Sequence, residues 1–303
     1  MKHNYTDNVM GLANWFSTFC TNIQVQDGGT ISTRYKSITR RLNTDFWATT
    51  SDTSHSLYVG SYGRNTAIDG FSDLDMIFQL PYSMYEKYNG HIWNGQSALL
   101  QTVKTSIEKT YSKTSIRGDG QVILVPFTDG ITFEVVPAFI NKDDSYTYPD
   151  ANNGGSWRTT NPRPEIAAIR TRNAACNSNL ILLCRMMRSW KRQWNIPMGG
   201  LLVDTLAYQF IIQWTYRDKS FLYYDYMCRD FFQYMAGQDA TQEYWKAPGS
   251  GQWVYGGQGQ FQYKAKRCYN IASEAIEHET ADPKREWSAK QKWREIFGTS
   301  FAG

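Results

Sequence analysis

The run Gly60-Ser61-Tyr62-Gly63-Arg64-Asn65-Thr66-Ala67-Ile68-Asp69-Gly70-Phe71-Ser72-Asp73-Leu74-Asp75 constrains this chain more than any other stretch. Side chains alternate across a strand, so Asp73 and Asp75 fall on one face while Leu74 and Met76 fall on the other. Two carboxylates on one face can share a cation. The residues that follow, Met76-Ile77-Phe78-Gln79-Leu80, are mostly apolar and stop at Pro81, the pattern of a largely buried strand that ends in a turn. Upstream, Ser56-Leu57-Tyr58-Val59 reads as a short strand entering Gly60-Ser61. Glycine there permits positive φ or close backbone approach, and N–H groups together with the Ser61 hydroxyl can cradle phosphate oxygens. A bound polyphosphate needs a counter-cation, and Mg²⁺ favours a few carboxylates plus substrate phosphates and water. The turn and the acid pair therefore explain each other.

Two-metal phosphoryl transfer asks for a third acid. Ile131-Thr132-Phe133-Glu134-Val135-Val136-Pro137 offers one, because Glu134 is a lone acid in an apolar β-type run with Phe133 and Val135 on the opposite face. An unpaired buried carboxylate is costly, which places Glu134 at a strand end or facing cations.

These segments resemble the bacterial CD-NTases, the cGAS/DncV-like nucleotidyltransferases of the polymerase β-like superfamily. The residues that carry the likeness are Gly-Ser-Tyr-x-Arg-x-Thr-x-Ile-x-Gly-x-Ser-Asp-Leu-Asp from Gly60, and Phe-Glu-Val-Val-Pro-Ala-Phe from Phe133. Trp157-Arg158-Thr159-Thr160-Asn161-Pro162 and the closing Trp293-Arg294-Glu295-Ile296-Phe297-Gly298 are similar to further family segments, so the likeness spans nearly the whole chain.

The resemblance implies an α+β fold: a polymerase β-like core of mixed sheet and helices, plus a helical C-terminal lobe, with the active site in the cleft between them. It implies that Asp73, Asp75 and Glu134 are catalytic and carry two Mg²⁺ ions, with Mn²⁺ able to substitute. Gly60 and Ser61 would hold the triphosphate. The product would be a cyclic di- or trinucleotide made from NTPs with release of pyrophosphate, in anti-phage defence, where an unseen effector binds the product. Many members carry Asp as the third acid; Glu134 is one methylene longer but keeps the charge. A family helix offers a basic residue, usually Lys, to the triphosphate, and Arg188-Ser189-Trp190-Lys191 is the local match. Arg188 is the first candidate for nucleotide binding and Lys191, one turn on, the second. Arg grips phosphate bidentately where Lys acts as a point charge, so the exchange matters. Met198-Gly199-Gly200-Leu201-Leu202 replaces the Ser pair that many relatives use for phosphate contact.

Composition agrees with this and excludes other classes. At 303 residues and 41% hydrophobic content the chain can build one large domain or two ordinary ones. Cys20, Cys176, Cys184, Cys228 and Cys268 are scattered, odd in number and without Cys-x-x-Cys, which points to free thiols in a reducing compartment and against zinc. The polar start and the lack of any run near the ~20 apolar residues of a membrane span predict a soluble, cytoplasmic protein with no membrane partner. A monomer is the expected state. A net charge of +4 does not by itself imply nucleic acid. Between Trp157 and Asn195, however, Arg158, Arg163, Arg170, Arg172, Arg185, Arg188, Lys191 and Arg192 face only one acid, Glu165, which reads as phosphate recognition.

Periodicity predicts helices over residues 9–23 and 31–46, strands over 56–59, 74–80, 121–126 and 131–139, and a helix over 95–111. Residues 143–161 read as a polar loop, the chain beyond as helical, and 249–260 as a Gly/Gln-biased surface loop. The expected division is a catalytic lobe with the N-terminal helices over residues 1–156 and a helical lobe over 157–303. Two rival readings remain at this point: a linear oligonucleotide-forming or RNA-acting nucleotidyltransferase, and a nucleic-acid-activated sensor enzyme.

Overall fold

The computed structural model describes residues 4–70, 73–257 and 261–301, so Phe71 and Ser72 of the opening run and residues 258–260 of the Gly/Gln stretch lie outside the described residues. Contacts divide the chain into two compact units. One comprises Met1–Gln24, Thr66–Asp69 and Ala167–Gly303; the other comprises Val25–Asn65 and Gly70–Ile166. Helix α1 (Asn4–Asn22) opens the first and α2 (Gly28–Trp47) the second.

The second unit is built on a mixed sheet. Its elements are β1 (Ser56–Tyr58), the single turn α3 (Gly60–Gly63), β2 (Leu74–Gln79), α4 (Tyr82–Asn89), α5 (Gly95–Glu108), β3 (Arg117–Asp119), β4 (Val122–Pro126), β5 (Thr132–Ile140), β6 (Tyr146–Asp150) and β7 (Ser156–Thr160). The strand order is β1-β2-β5-β4-β3, with β6 and β7 continuing from β5. The one parallel pair in that order is β2 with β5.

Alternation along each strand sorts its residues to two faces. Leu74, Met76, Phe78, Ile123, Val125, Phe133 and Val135 are buried in one core with Ile31, Tyr35, Ile38 and Leu42 of α2 and with Leu99, Leu100, Val103 and Ile107 of α5. On α2 those four residues recur at helical spacing, so tertiary burial of one stripe holds the helix. Further along the opposite face, Ile77 and Ala138 pack with Val59 and Tyr146 in a smaller cluster. The remaining part of that face carries the acids.

The first unit is mostly helical: α1, then the greater part of α6 (Pro162–Ala175), α7 (Asn179–Gln193), α8 (Gly200–Ile211), α9 (Tyr224–Ala236), α10 (Phe261–Thr280) and α11 (Glu286–Phe297). A hairpin of β8 (Tyr244–Lys246) and β9 (Trp253–Tyr255) interrupts them. No helix among the described residues is long and apolar enough to cross a membrane.

Three expectations need correction. Residues 143–161 are not a loop, because Tyr146–Asp150 and Ser156–Thr160 form an antiparallel hairpin, with Tyr146 opposite Thr160. The Asx-type contacts of Asp143 and Asp150 shape its surroundings, and their abundance masked two short β-branched and aromatic runs. Residues 249–260 likewise include a strand, β9, whose Val254 is buried. Finally, α1 clusters with the helical unit. Its Phe16 meets Tyr224, Trp293, Phe297 and Phe301 edge to face, a packing that the stripe on α1 could not reveal without its partner.

Candidate active site

The site is built where β1 hands over to β2. Val59 is extended, and its N–H donates to the Asp75 carbonyl at 3.0 Å, which ties the end of β1 to the start of β2. The chain then reverses through Gly60 at φ +57° into α3, where the Gly63 and Arg64 N–H groups donate to the Val59 and Gly60 carbonyls at 2.8 and 3.2 Å. The first N–H groups of such a turn lack intrahelical acceptors by construction. Glycine is required sterically at two positions. A Cβ on Gly60 would overlap the Asp75 carboxylate, and one on Gly63 would overlap the Tyr58 carbonyl. Behind the turn, Arg64 Nη1 pairs with Glu165 Oε2 at 3.5 Å, both side chains 6% exposed.

Asp73 stands just ahead of β2 and is exposed, while Asp75, within β2, is partly buried. Asp75 and Glu134 are in register on the parallel strands β2 and β5, so the two carboxylates share a row and a face. Burial pushes the Glu134 carboxyl up to about 7, and the charges of Asp75 and Asp73, a hydrogen bond with Asp75 and the charge of Asp119 push the same way. The sequence reading put Glu134 at a strand end or facing cations; it lies inside β5 and faces the other acids. Asp119 was missed altogether. It sits on a short exposed strand whose Arg-Gly-Asp composition carries no β signal.

This donor set fits a hard divalent cation. Crowded carboxylates that hold a proton to neutral pH are relieved when a cation replaces it. Among the described residues no three His, Cys, Asp or Glu side chains converge into a ready-made metal cage. Mg²⁺ does not require one, because it usually takes one or two carboxylates and completes its shell with substrate phosphates and water.

The basic residues are less uniform than their spacing suggested. Arg188, on α7, directs Nη2 to Asp204 Oδ2 at 2.8 Å and to the Gly200 carbonyl at 3.0 Å, and Nε to Asp204 Oδ1 at 3.3 Å. Asp204 is fully buried and also accepts from Thr66 Oγ1 at 2.9 Å. A Cβ at Gly200 would overlap the Arg188 guanidinium, so the glycine makes room for this pair. A lone acid in the apolar helix Gly200–Ile211 was the sequence signal for such a partner. Lys191, one turn on, makes no ion pair among the described residues, and burial with the neighbouring Arg188 charge lowers its pKa. Others of the basic group are structural: Arg158 pairs with Asp150, Arg163 donates to the Tyr146 hydroxyl, and Arg172 stacks on Tyr208.

A mixed sheet that presents three acids beside a glycine-led turn defines a nucleotidyltransferase type of site. The sequence matches the Second Messenger Oligonucleotide or Dinucleotide Synthetase domain (SMODS) over residues 10–173. The chain belongs to this family, the CD-NTases, and is a nucleotidyltransferase of the class that makes cyclic oligonucleotides.

Solved structures agree on the fold. Escherichia coli MS115-1 CdnC, in complex with HORMA-deltaN, superposes with a TM-score of 0.70 at 14% identity, covering 96% of this chain and 98% of that one. Bradyrhizobium diazoefficiens CdnG, in complex with GTP, gives 0.65 at 12%, covering 94% of each chain. Vibrio cholerae DncV in its apo form gives 0.65 at 15%, covering 82% of this chain and 69% of that one. No curated protein matches the sequence significantly.

Proposed function

We propose that this enzyme joins nucleoside triphosphates by successive nucleotidyl transfers into a cyclic di- or trinucleotide, releasing pyrophosphate at each step, as a cytoplasmic second messenger in anti-phage defence. The observation that carries the reading is the in-register pair Asp75 and Glu134 on parallel strands, with Gly60 pressed against the Asp75 carboxylate.

Asp73, Asp75 and Glu134 are the residues that would hold two Mg²⁺ ions, with Mn²⁺ an alternative. Bound there, the ions would lower the pKa of the attacking ribose hydroxyl and offset charge on the departing pyrophosphate. The chain's own part is positional. Gly60 and Ser61 present the start of α3 to the triphosphate, where N–H groups favour anions. The close approach of Gly60 to Asp75 keeps phosphate and carboxylates within reach of the same cations. Lys191 supplies a cationic phosphate contact; Arg188, already paired with Asp204, braces the helix that carries it. Family membership supports an effector that binds the product as the downstream partner.

The test is to incubate the purified protein with radiolabelled NTP pairs and Mg²⁺ or Mn²⁺, and to chromatograph the products before and after phosphatase. A cyclic product has no terminal phosphate and survives unchanged. Products that lose their terminal phosphates and shift in elution after phosphatase would make the enzyme a linear polymeriser and overturn the proposal.

A further inference from the structure

The acid row does not end at Glu134. Asp75 is in register with Glu134, Glu134 with Leu124, and Leu124 with Arg117, so one row of side chains crosses β2, β5, β4 and β3 on a single face. The neighbouring row, Met76, Val135, Ile123 and Gly118, lies on the other face, and its first three members are fully buried. Gly118 confirms the parity independently, because a Cβ there would touch Leu100 and Gln101 of α5. Arg117 and Asp119 therefore project from the face that carries the acids. Both are exposed, Leu124 between them and the acids is 7% exposed, and Arg117 makes no ion pair among the described residues. Strands lie about 4.8 Å apart, which puts the Arg117 backbone roughly 10 Å from that of Glu134, within reach of a long side chain.

Direction gives this row a meaning. Gly60 and α3 adjoin the Asp75 end, so on the proposed function the triphosphate and its leaving pyrophosphate lie at that end. Attacking and leaving oxygens are roughly in line in phosphoryl transfer. The attacking hydroxyl then arrives from the other side of the acids, over β5, β4 and β3. We propose that Arg117 binds the phosphates of the acceptor nucleotide, the one that contributes the attacking hydroxyl. Its planar fork suits phosphate oxygens, and it is a cation on the acceptor side of an otherwise acidic face.

This inference rests on the nucleotidyltransferase reading, and the experiment separates the two. A 2′,3′-dideoxy NTP can act only as donor, and an α,β-methylene NTP, whose triphosphate cannot be cleaved there, only as acceptor. Together they give a single linear dinucleotide, so each KM is measured alone, and calorimetric titration reports acceptor binding without turnover. The expected result for Arg117→Ala is an acceptor KM and Kd raised at least tenfold, with donor KM and kcat within about threefold of wild type and partial rescue by Arg117→Lys. The wild type should prefer a triphosphate-bearing acceptor to the bare nucleoside, and the variant should lose that preference. An acceptor KM changed less than twofold, or a donor KM raised equally, would overturn the assignment while leaving the enzyme's reaction intact. A wild type that forms no dinucleotide from this pair would instead overturn the nucleotidyltransferase reading itself, and this inference with it.

Discussion

Burial, and then the charges of Asp75 and Asp73, raise the Glu134 carboxyl from its ordinary 4.5 to about 7, so at intermediate pH the folded protein keeps a proton that the unfolded chain has released. The folded state binds more protons in that window, and stability falls as pH rises from about 4.5 through about 7. A divalent cation favours the ionised carboxylate and removes the penalty. Mg²⁺ is therefore expected to raise the Tm more at pH 8 than at pH 5.5, and Glu134→Gln should flatten that difference. Equal shifts at both pH values in the wild type would contradict a cation held by these acids. Residue identity was the most legible level of this site: Asp73, Asp75, Gly60 and Glu134 each stand out by spacing or by polarity in an apolar run. Asp119 and Arg117 do not, because what unites them with the acids is strand register, and register depends on partners far away in sequence.

At the scale of elements, α7 shows how a correct helix can carry an ambiguous side chain. The family likeness put a basic residue on a helix around Arg188, and α7 spans Asn179–Gln193. Which cation is free depends on α8, whose Asp204 claims Arg188. Removing one partner of a buried ion pair costs about 3–5 kcal/mol, since the other is left uncompensated. Arg188→Ala should therefore lower the Tm markedly, and Asp204→Asn with it. Lys191→Ala should leave the Tm nearly unchanged and raise the KM for NTP about tenfold, the loss of one charge-assisted contact. Thermal melts beside steady-state kinetics distinguish the two; an Arg188→Ala enzyme of wild-type stability with a raised KM would return the phosphate contact to Arg188. The hairpin of β6 and β7 was illegible for a different reason. Its strands are short, and the Asp, Asn and Gly residues of its turns dominate the local composition.

For the whole molecule, the mixed sheet and the helical C-terminal region were readable from periodicity and family likeness, whereas the division of the chain was not. The expected boundary at residue 156 follows a change in composition, but the units separate between Ile166 and Ala167, and the segment Thr66–Asp69 belongs with the helices. Thr66 shows why: its hydroxyl donates to Asp204, so part of the motif run is anchored to the helical core by a bond that no sequence spacing announces. Asp73 and Asp75 are expected to carry the chemistry and not the fold. Neither belongs to the apolar core, so Asp73→Asn combined with Asp75→Asn should preserve the thermal melt. The decisive measurement is product formation from NTPs with Mg²⁺ by this double variant beside the wild type. No detectable product from a folded protein is expected; product at near wild-type rate would show that these two acids do not carry the chemistry.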